Sequence, residues 1–147
     1  MVAISTSTEI DRPAVDVFAY ITDPSRFAEW QQGVVAGRME GSEPHTVGDA
    51  CVMTRRIGGA TRTTTSRLVR LEAPSAWGVR GLDGPVRATV DVTVEQLAGT
   101  RCRLTIAVDF EGHGVGRALV PLVVRPQARK EMPRNLAAAK QRLEAGR

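Results

Sequence analysis

Two runs in the second half of the chain constrain its fold more than any other feature. From Val86 to Glu95 every second residue is apolar, with Val86, Ala88, Val90, Val92 and Val94 on one face and Arg87, Thr89, Asp91, Thr93 and Glu95 on the other. The pattern repeats from Arg101 to Phe110, where Cys102, Leu104, Ile106, Val108 and Phe110 are apolar and Arg101, Arg103, Thr105 and Asp109 polar. Alternation of this kind makes two antiparallel strands, one face buried and the other wet. A hairpin loop of Leu97, Ala98 and Gly99 predicts Glu95 opposite Arg101 and Arg87 opposite Asp109, so opposite charges support the register. Beyond Glu111 to Gly116 the period turns helical, with Val124, Ala128, Met132, Leu136, Ala139 and Leu143 on one stripe. Pro121 suits the first turn of that long helix, whereas Pro126 and Pro133 are interior and predict a bent or broken first half.

Upstream, Val2, Ile4, Thr6, Thr8 and Ile10 alternate as a strand, and Pro13 suits the start of a helix. That helix is expected to carry Val15, Phe18 and Ala19 inward and Tyr20, the single tyrosine, outward. Asp23-Pro24 breaks it before a second short turn with Phe27 and Trp30. From Val34 to Phe110 strands follow one another, punctuated by Gly41 to Pro44, Gly58-Gly59, Ala73-Pro74, Gly81 to Pro85 and Ala98-Gly99, an antiparallel meander.

Composition narrows the class. The 147 residues suffice for one domain and one core, and no apolar run approaches the roughly 20 residues that span a bilayer. Met1 to Ile10 has no basic leader followed by an apolar stretch, so the expected location is the cytoplasm. Cys51 and Cys102 both fall among strand residues and read as buried thiols. Residues 1–116 carry 12 basic and 14 acidic side chains, whereas 117–147 carry 8 basic and 2 acidic. The basic helix face, with Arg125, Arg129, Lys130, Arg134, Lys140 and Arg142, reads as a solvated face rather than a nucleic-acid surface, because no aromatic residue accompanies it. The two lysines both lie in that segment, so residues 1–129 offer no Schiff-base nucleophile.

One sheet with a long apolar face and a single long helix to cover it must curl around that helix. Small residues such as Ala128 and Ala137 to Ala139 on the helix leave room for a cavity, apolar with a few polar anchors.

The order of elements, with Thr22-Asp23-Pro24, Phe27 and Trp30, Val47-Gly48-Asp49, the Leu71 to Pro74 turn, Gly99-Thr100-Arg101 and the closing Leu143-Glu144, resembles the START-like helix-grip (SRPBCC) superfamily, in its polyketide cyclase/dehydrase-like branch. The resemblance covers almost the whole chain. It implies an α+β helix-grip fold: a curved antiparallel sheet of about seven strands wrapped around a long C-terminal helix, with two short helices after the first strand. It also implies a hydrophobic ligand pocket between sheet and helix, but no single reaction.

Within that frame the candidate ligand-binding residues are Phe18, Trp30, Met53, Arg55, Thr64, Ser66, Trp77, Phe110, His113, Val124, Ala128 and Met132. Arg55 shares a strand face with Cys51, Met53 and Ile57, and a guanidinium on a buried face needs an acceptor or an anion. Thr64 and Ser66, on the face of Leu68, would supply hydroxyls nearby; a bulge at Arg55 would instead turn it outward. Phe18, Trp30 and Trp77 could stack on a ligand or fill the core. His113, in Gly112-His113-Gly114 before the helix, stands at the expected pocket mouth, and His45 lies in a loop. Neither has a partner that sequence assigns, and a general base needs one. Gly112 to Gly116 lacks the Gly-Lys-Ser/Thr ending of a phosphate cradle and reads as a strand-to-helix turn. Clustered carboxylates, Ser-His-Asp spacing and a metal motif are all missing, so no metal and no cofactor is expected and no catalytic residue is assigned.

The leading reading is a module, 1–147, that binds a small hydrophobic or aromatic molecule such as a polyketide, lipid or quinone-like compound. The rival is a cyclase or dehydratase whose pocket folds a reactive chain and whose Arg55 or His113 polarises a carbonyl or moves a proton. The expected partner is the small ligand, with no nucleic acid and no membrane span; a homodimer is compatible with either reading.

Overall fold

The computed structural model describes residues 3–57 and 59–146, with the side chain of Ile57 outside that description. Val2 and Gly58, both given roles above, also lie outside it. Strand β1 (Ile4–Ile10) leads into helix α1 (Ala14–Ile21) and a 3-10 turn (Pro24–Glu29). Six strands follow: β2 (Val34–Glu40), β3 (Ala50–Ile57), β4 (Ala60–Glu72), β5 (Ala76–Gly81), β6 (Val86–Ala98) and β7 (Arg101–Gly112). Helix α2 (Gly116–Leu119) then passes through a π-type turn (Val120–Val124) into α3 (Arg125–Ala145). The strands form one sheet in the order β1, β7, β6, β5, β4, β3, β2, and every pairing is antiparallel. This is the curved sheet, long helix and pair of short helices expected of a helix-grip fold.

Alternation builds the sheet as read. Val92, Val94, Cys102, Leu104 and Ile106 are buried on the inner face, while Asp91, Thr93, Glu95, Arg101 and Arg103 stay exposed. Register shifts between Val34 and Ala36, Leu68 and Arg70, and Gln96 and Ala98 add local twist, which helps the sheet curl. The last of these changes the hairpin. Ala98 pairs with Arg101 across a turn of Gly99 and Thr100, so Glu95 stands opposite Arg103 and Arg87 opposite Glu111, two residues from the register expected from a longer loop. A shift of two keeps every side chain on its own face and again matches opposite charges, with Arg103 Nη1 2.9 Å from Glu95 Oε1.

The inward side of α1 differs from the sequence reading. Ala14, Val17, Phe18 and Ile21 are buried at spacings of three and four, while Val15 is 60% exposed. Tyr20 is buried rather than outward because its hydroxyl has a partner there. It donates to Glu29 Oε1 at 3.0 Å, and the Arg26 guanidinium lies over the ring at 4.9 Å.

The C-terminal helix also breaks elsewhere than expected. Pro126 sits in the first turn of α3, which tolerates a missing N–H, and α3 continues through Pro133. The irregularity lies upstream, in the π turn that contains Pro121, where Arg125 N–H reaches back to Val120 O. Gly116, at the start of α2, touches the preceding loop so closely that a Cβ there would lie 1.7 Å from Pro85 O. Gly112 to Gly116 thus forms the expected strand-to-helix turn. Among the described residues no helix is long and apolar enough to cross a membrane.

Candidate functional site between the sheet and the long helix

Coverage of the inner apolar face falls off along the molecule, and it does so on both sides of the interior at once. On β6 and β7, Val92, Val94, Cys102 and Leu104 are buried, but Val86, Ala88, Val90 and Phe110 are only half-buried. On α3, Leu136, Ala139 and Leu143 are buried, while Ala128 and Met132, and Val124 just before it, are half-buried. The register sets Ala88 against Phe110 and Val90 against Val108, so the half-covered sheet residues form one patch. The helix start supplies the matching apolar stripe. Both half-covered stretches lie toward the end of β7, where the chain leaves the sheet for the helix.

Ala88, Val90, Phe110 and Met132 pack against the aromatic core. The Phe27 and Trp30 rings stand edge-on at 5.6 Å, and Phe27 meets Trp77 in the same way at 6.2 Å. Phe18, Trp30, Met53 and Trp77 belong to one buried cluster, against which Phe110 and Met132 pack. The expected lining therefore divides: four residues fill the core, and Phe110, Val124, Ala128 and Met132 keep accessible surface. Trp30 is 6% exposed, yet its indole Nε1–H has no hydrogen-bond partner. A buried donor without a partner is costly unless something supplies an acceptor.

Arg55 stays on the inner side of β3. It is half-buried and pairs in register with Arg62, while Met53 faces Thr64 and Cys51 faces Ser66. Its Nη2 donates to Gln31 Oε1 at 3.3 Å. Burial pulls the guanidinium below its ordinary pKa, and the Cys51 and Glu131 side chains oppose that shift. The influence of Glu131 places Arg55 within electrostatic reach of α3. Asn135 Oδ1, one turn further along α3, accepts from Gln32 N–H at 3.1 Å and so fixes the helix to the same turn. Ser66 Oγ donates to Cys51 O at 3.4 Å, and Thr64 is half-buried beside it, which leaves the Thr64 hydroxyl as the nearer free polar group on β4.

The histidines stand apart from these residues. His113 Nε2 is 2.9 Å from Glu111 Oε1, though out of line for a hydrogen bond, and Glu111 is on the outer face of β7. His45 lies between Glu43 at 3.4 Å and Asp49 at 3.6 Å, in the loop before β3. The Thr46 N–H, together with Ser42, holds the Asp49 carboxyl below its usual range. Burial raises the thiol pKa of both Cys51 and Cys102, so neither is a ready nucleophile. Among the described residues no three His, Cys, Asp or Glu side chains gather closely enough to share a metal ion.

The grooves that the surface does show lie elsewhere. One of about 760 Å³ runs between α1, the 3-10 turn and the end of α3, where Arg12, Asp16, Tyr20, Arg26, Glu29 and Arg142 pair among themselves. The other, about 460 Å³, lies between β1 and α3. Neither contains any of the twelve expected binding residues.

Sequence reasoning missed Gln31 as the hydrogen-bond partner of Arg55. Nothing in a single sequence links positions so far apart, since the contact comes from how the segment after the 3-10 turn lies against β3.

The family model described as polyketide cyclase / dehydrase and lipid transport matches residues 1–144. The chain belongs to this family. Among curated proteins none matches the sequence. Solved structures similar to this polyketide cyclase / dehydrase and lipid transport member include an aromatase/cyclase from a Streptomyces species, with TM-score 0.70 and 17% identity over 98% of this chain and 92% of that one. A START superfamily protein from Mycobacterium smegmatis matches with TM-score 0.71 and 12% identity, covering 99% and 96%. The di-domain aromatase/cyclase of the steffimycin biosynthetic pathway matches with TM-score 0.71 and 13% identity over 96% of this chain. The chain spans about half of that di-domain protein, 45% of its length. At these identities the likeness concerns the fold.

Proposed function

We propose that this chain binds a small hydrophobic or aromatic molecule, of polyketide, lipid or quinone-like type, in a cleft between the sheet and α3, with residues 1–147 acting as one binding domain. The observation that carries this reading is the matched loss of coverage on β6, β7 and α3, which leaves Ala88, Val90, Phe110, Ala128 and Met132 half-buried around one space. A ligand there would gain roughly 25 cal/mol for each Å² of apolar surface it covers. Arg55 is the polar anchor for a carbonyl or acidic group, because its Gln31 contact uses only part of a five-donor guanidinium. The unpartnered Trp30 indole N–H is a second donor. Two free buried thiols suit a reducing compartment, in keeping with a cytoplasmic protein.

A polyketide cyclase or dehydratase acting in the same cleft is the second reading, favoured by the family description and by the aromatase/cyclase of the same fold. Such an enzyme would fold a reactive chain by shape, with Arg55 polarising a carbonyl. His113 is beside Glu111 on the outer face of β7 and His45 is in the loop before β3, so proton transfer is the weaker part of that reading.

Native mass spectrometry of the purified protein tests binding directly. A retained small molecule released on unfolding is the expected result. Bare protein that also fails to enhance the fluorescence of anilinonaphthalene sulfonate would remove the binding reading.

A further inference from the structure

The segment leading into α3 is apolar on its outside as well as its inside. Gly116 and Val120 face the protein and are buried, whereas Val115 is 71% exposed, Leu119 39%, Leu122 75% and Val123 51%. Their spacing of four, three and one puts all four on one side of the helical turns. Isolated exposed aliphatics are ordinary, but this many in nine residues make a patch with a purpose.

Charge defines the surroundings of that patch. From Gly112 to Lys130 the sequence contains Arg117, Arg125, Arg129 and Lys130 and not one carboxylate, with Glu111 and Glu131 flanking that stretch. Arg125 is buried beside Asp109, while Arg117, Arg129 and Lys130 are exposed, as is Arg134 one turn further. At about 1.5 Å of rise per residue, Lys130 lies only roughly 12 Å along the helix from Leu122.

We infer that this surface docks the protein on an anionic lipid bilayer, with the aliphatic side chains entering the boundary between headgroups and acyl chains and the arginines and lysine meeting lipid phosphates. The patch joins exposed branched aliphatics to exposed cations, the combination that suits an anionic lipid surface. Protein interfaces centre on aromatic and arginine anchors seated in pockets, and no aromatic residue occurs after Phe110. A second copy is a poor occupant, since a two-fold contact through this patch would bring two sets of Arg117, Arg129 and Lys130 to one interface with no carboxylate between Gly112 and Lys130 to balance them. The inference concerns the outer surface of the helix and holds whichever molecule the cleft takes.

Sedimentation with vesicles tests it, using the whole chain with vesicles of phosphatidylcholine alone and of phosphatidylcholine mixed with phosphatidylglycerol. Binding to the anionic vesicles is expected to exceed binding to the neutral ones about tenfold and to weaken with added salt. Leu122→Asp, at a position 75% exposed, should leave circular dichroism unchanged and reduce vesicle binding about tenfold. The pair Arg129→Glu and Lys130→Glu should abolish the preference for anionic lipid. No binding to anionic vesicles, or binding that Leu122→Asp leaves intact, overturns the inference. So does a dimer in sedimentation velocity that Leu122→Asp dissociates while vesicles remain unbound, or capture of an acidic protein without any vesicle binding. No cleft ligand enters the vesicle assay, so its failure leaves the binding reading untouched.

Discussion

Arg55 Nη2 donates to Gln31 Oε1 at 3.3 Å, a single neutral acceptor for a half-buried cation. Replacing Arg55 by Met should therefore hold or raise the melting temperature, since an apolar chain of similar length suits the space beside Met53 and loses little bonding. It should weaken binding of an anionic aromatic probe such as anilinonaphthalene sulfonate by about tenfold or more, the value of one hydrogen bond to a charged group. Unchanged probe affinity in the folded variant would show that Arg55 is a structural residue only.

The Tyr20 hydroxyl is buried against Glu29, and burial followed by that carboxylate pushes its pKa up from 10.0 to about 12. Phenolate forms in the unfolded chain first, so the stability linked to Tyr20 is complete below pH 10.0 and is lost as the pH rises toward 12. As the single tyrosine, it can be followed by its phenolate absorbance. Glu29→Gln should lower the titration midpoint; a midpoint near 10 in the folded wild type would contradict the burial described here.

Gly116→Ala places a methyl group against the Pro85 carbonyl, a backbone atom that no rotamer change can move. A loss of about 1–3 kcal/mol is expected in chemical denaturation, the usual cost of overpacking. Gly114→Ala makes a useful comparison, because its cost comes from the positive φ of 60° with open space around the Cβ.

Hydrogen exchange should separate the two parts of the C-terminal helix. Amides from Leu122 to Val124, in the π turn and under the half-covered end, should exchange faster than those from Leu136 to Leu143, which rest on the closed core. Equal protection would contradict the difference in coverage between the two ends of the helix.

Most of the fold was legible because a strand with one wet face writes its period into the sequence, as Val86 to Val94 and Cys102 to Phe110 do. What local pattern could not resolve were choices of similar local merit. The β6–β7 register needed the bulge at Gln96, which periodicity alone does not show. The inner face of α1 was misread because Val15 and Val17 both look apolar, and only packing against β6 and β7 selects Val17. Arg55 was legible as an inward polar residue from its alternation with Cys51 and Met53. Its partner Gln31 was not, since that contact depends on how the 3-10 turn lies against β3.

The antiparallel pairing of β1 with β7 joins Ile4 to Val108 and Ile10 to Cys102, residues about a hundred positions apart. During synthesis β1 therefore has no neighbour in the sheet until β7 has left the ribosome. A nascent chain stopped before Arg101 would carry an open strand edge and an uncovered Ile10, the exposure that invites aggregation or chaperone capture. Contacts of such long range also slow folding, so the last hairpin made sets the pace for closing the first strand into place.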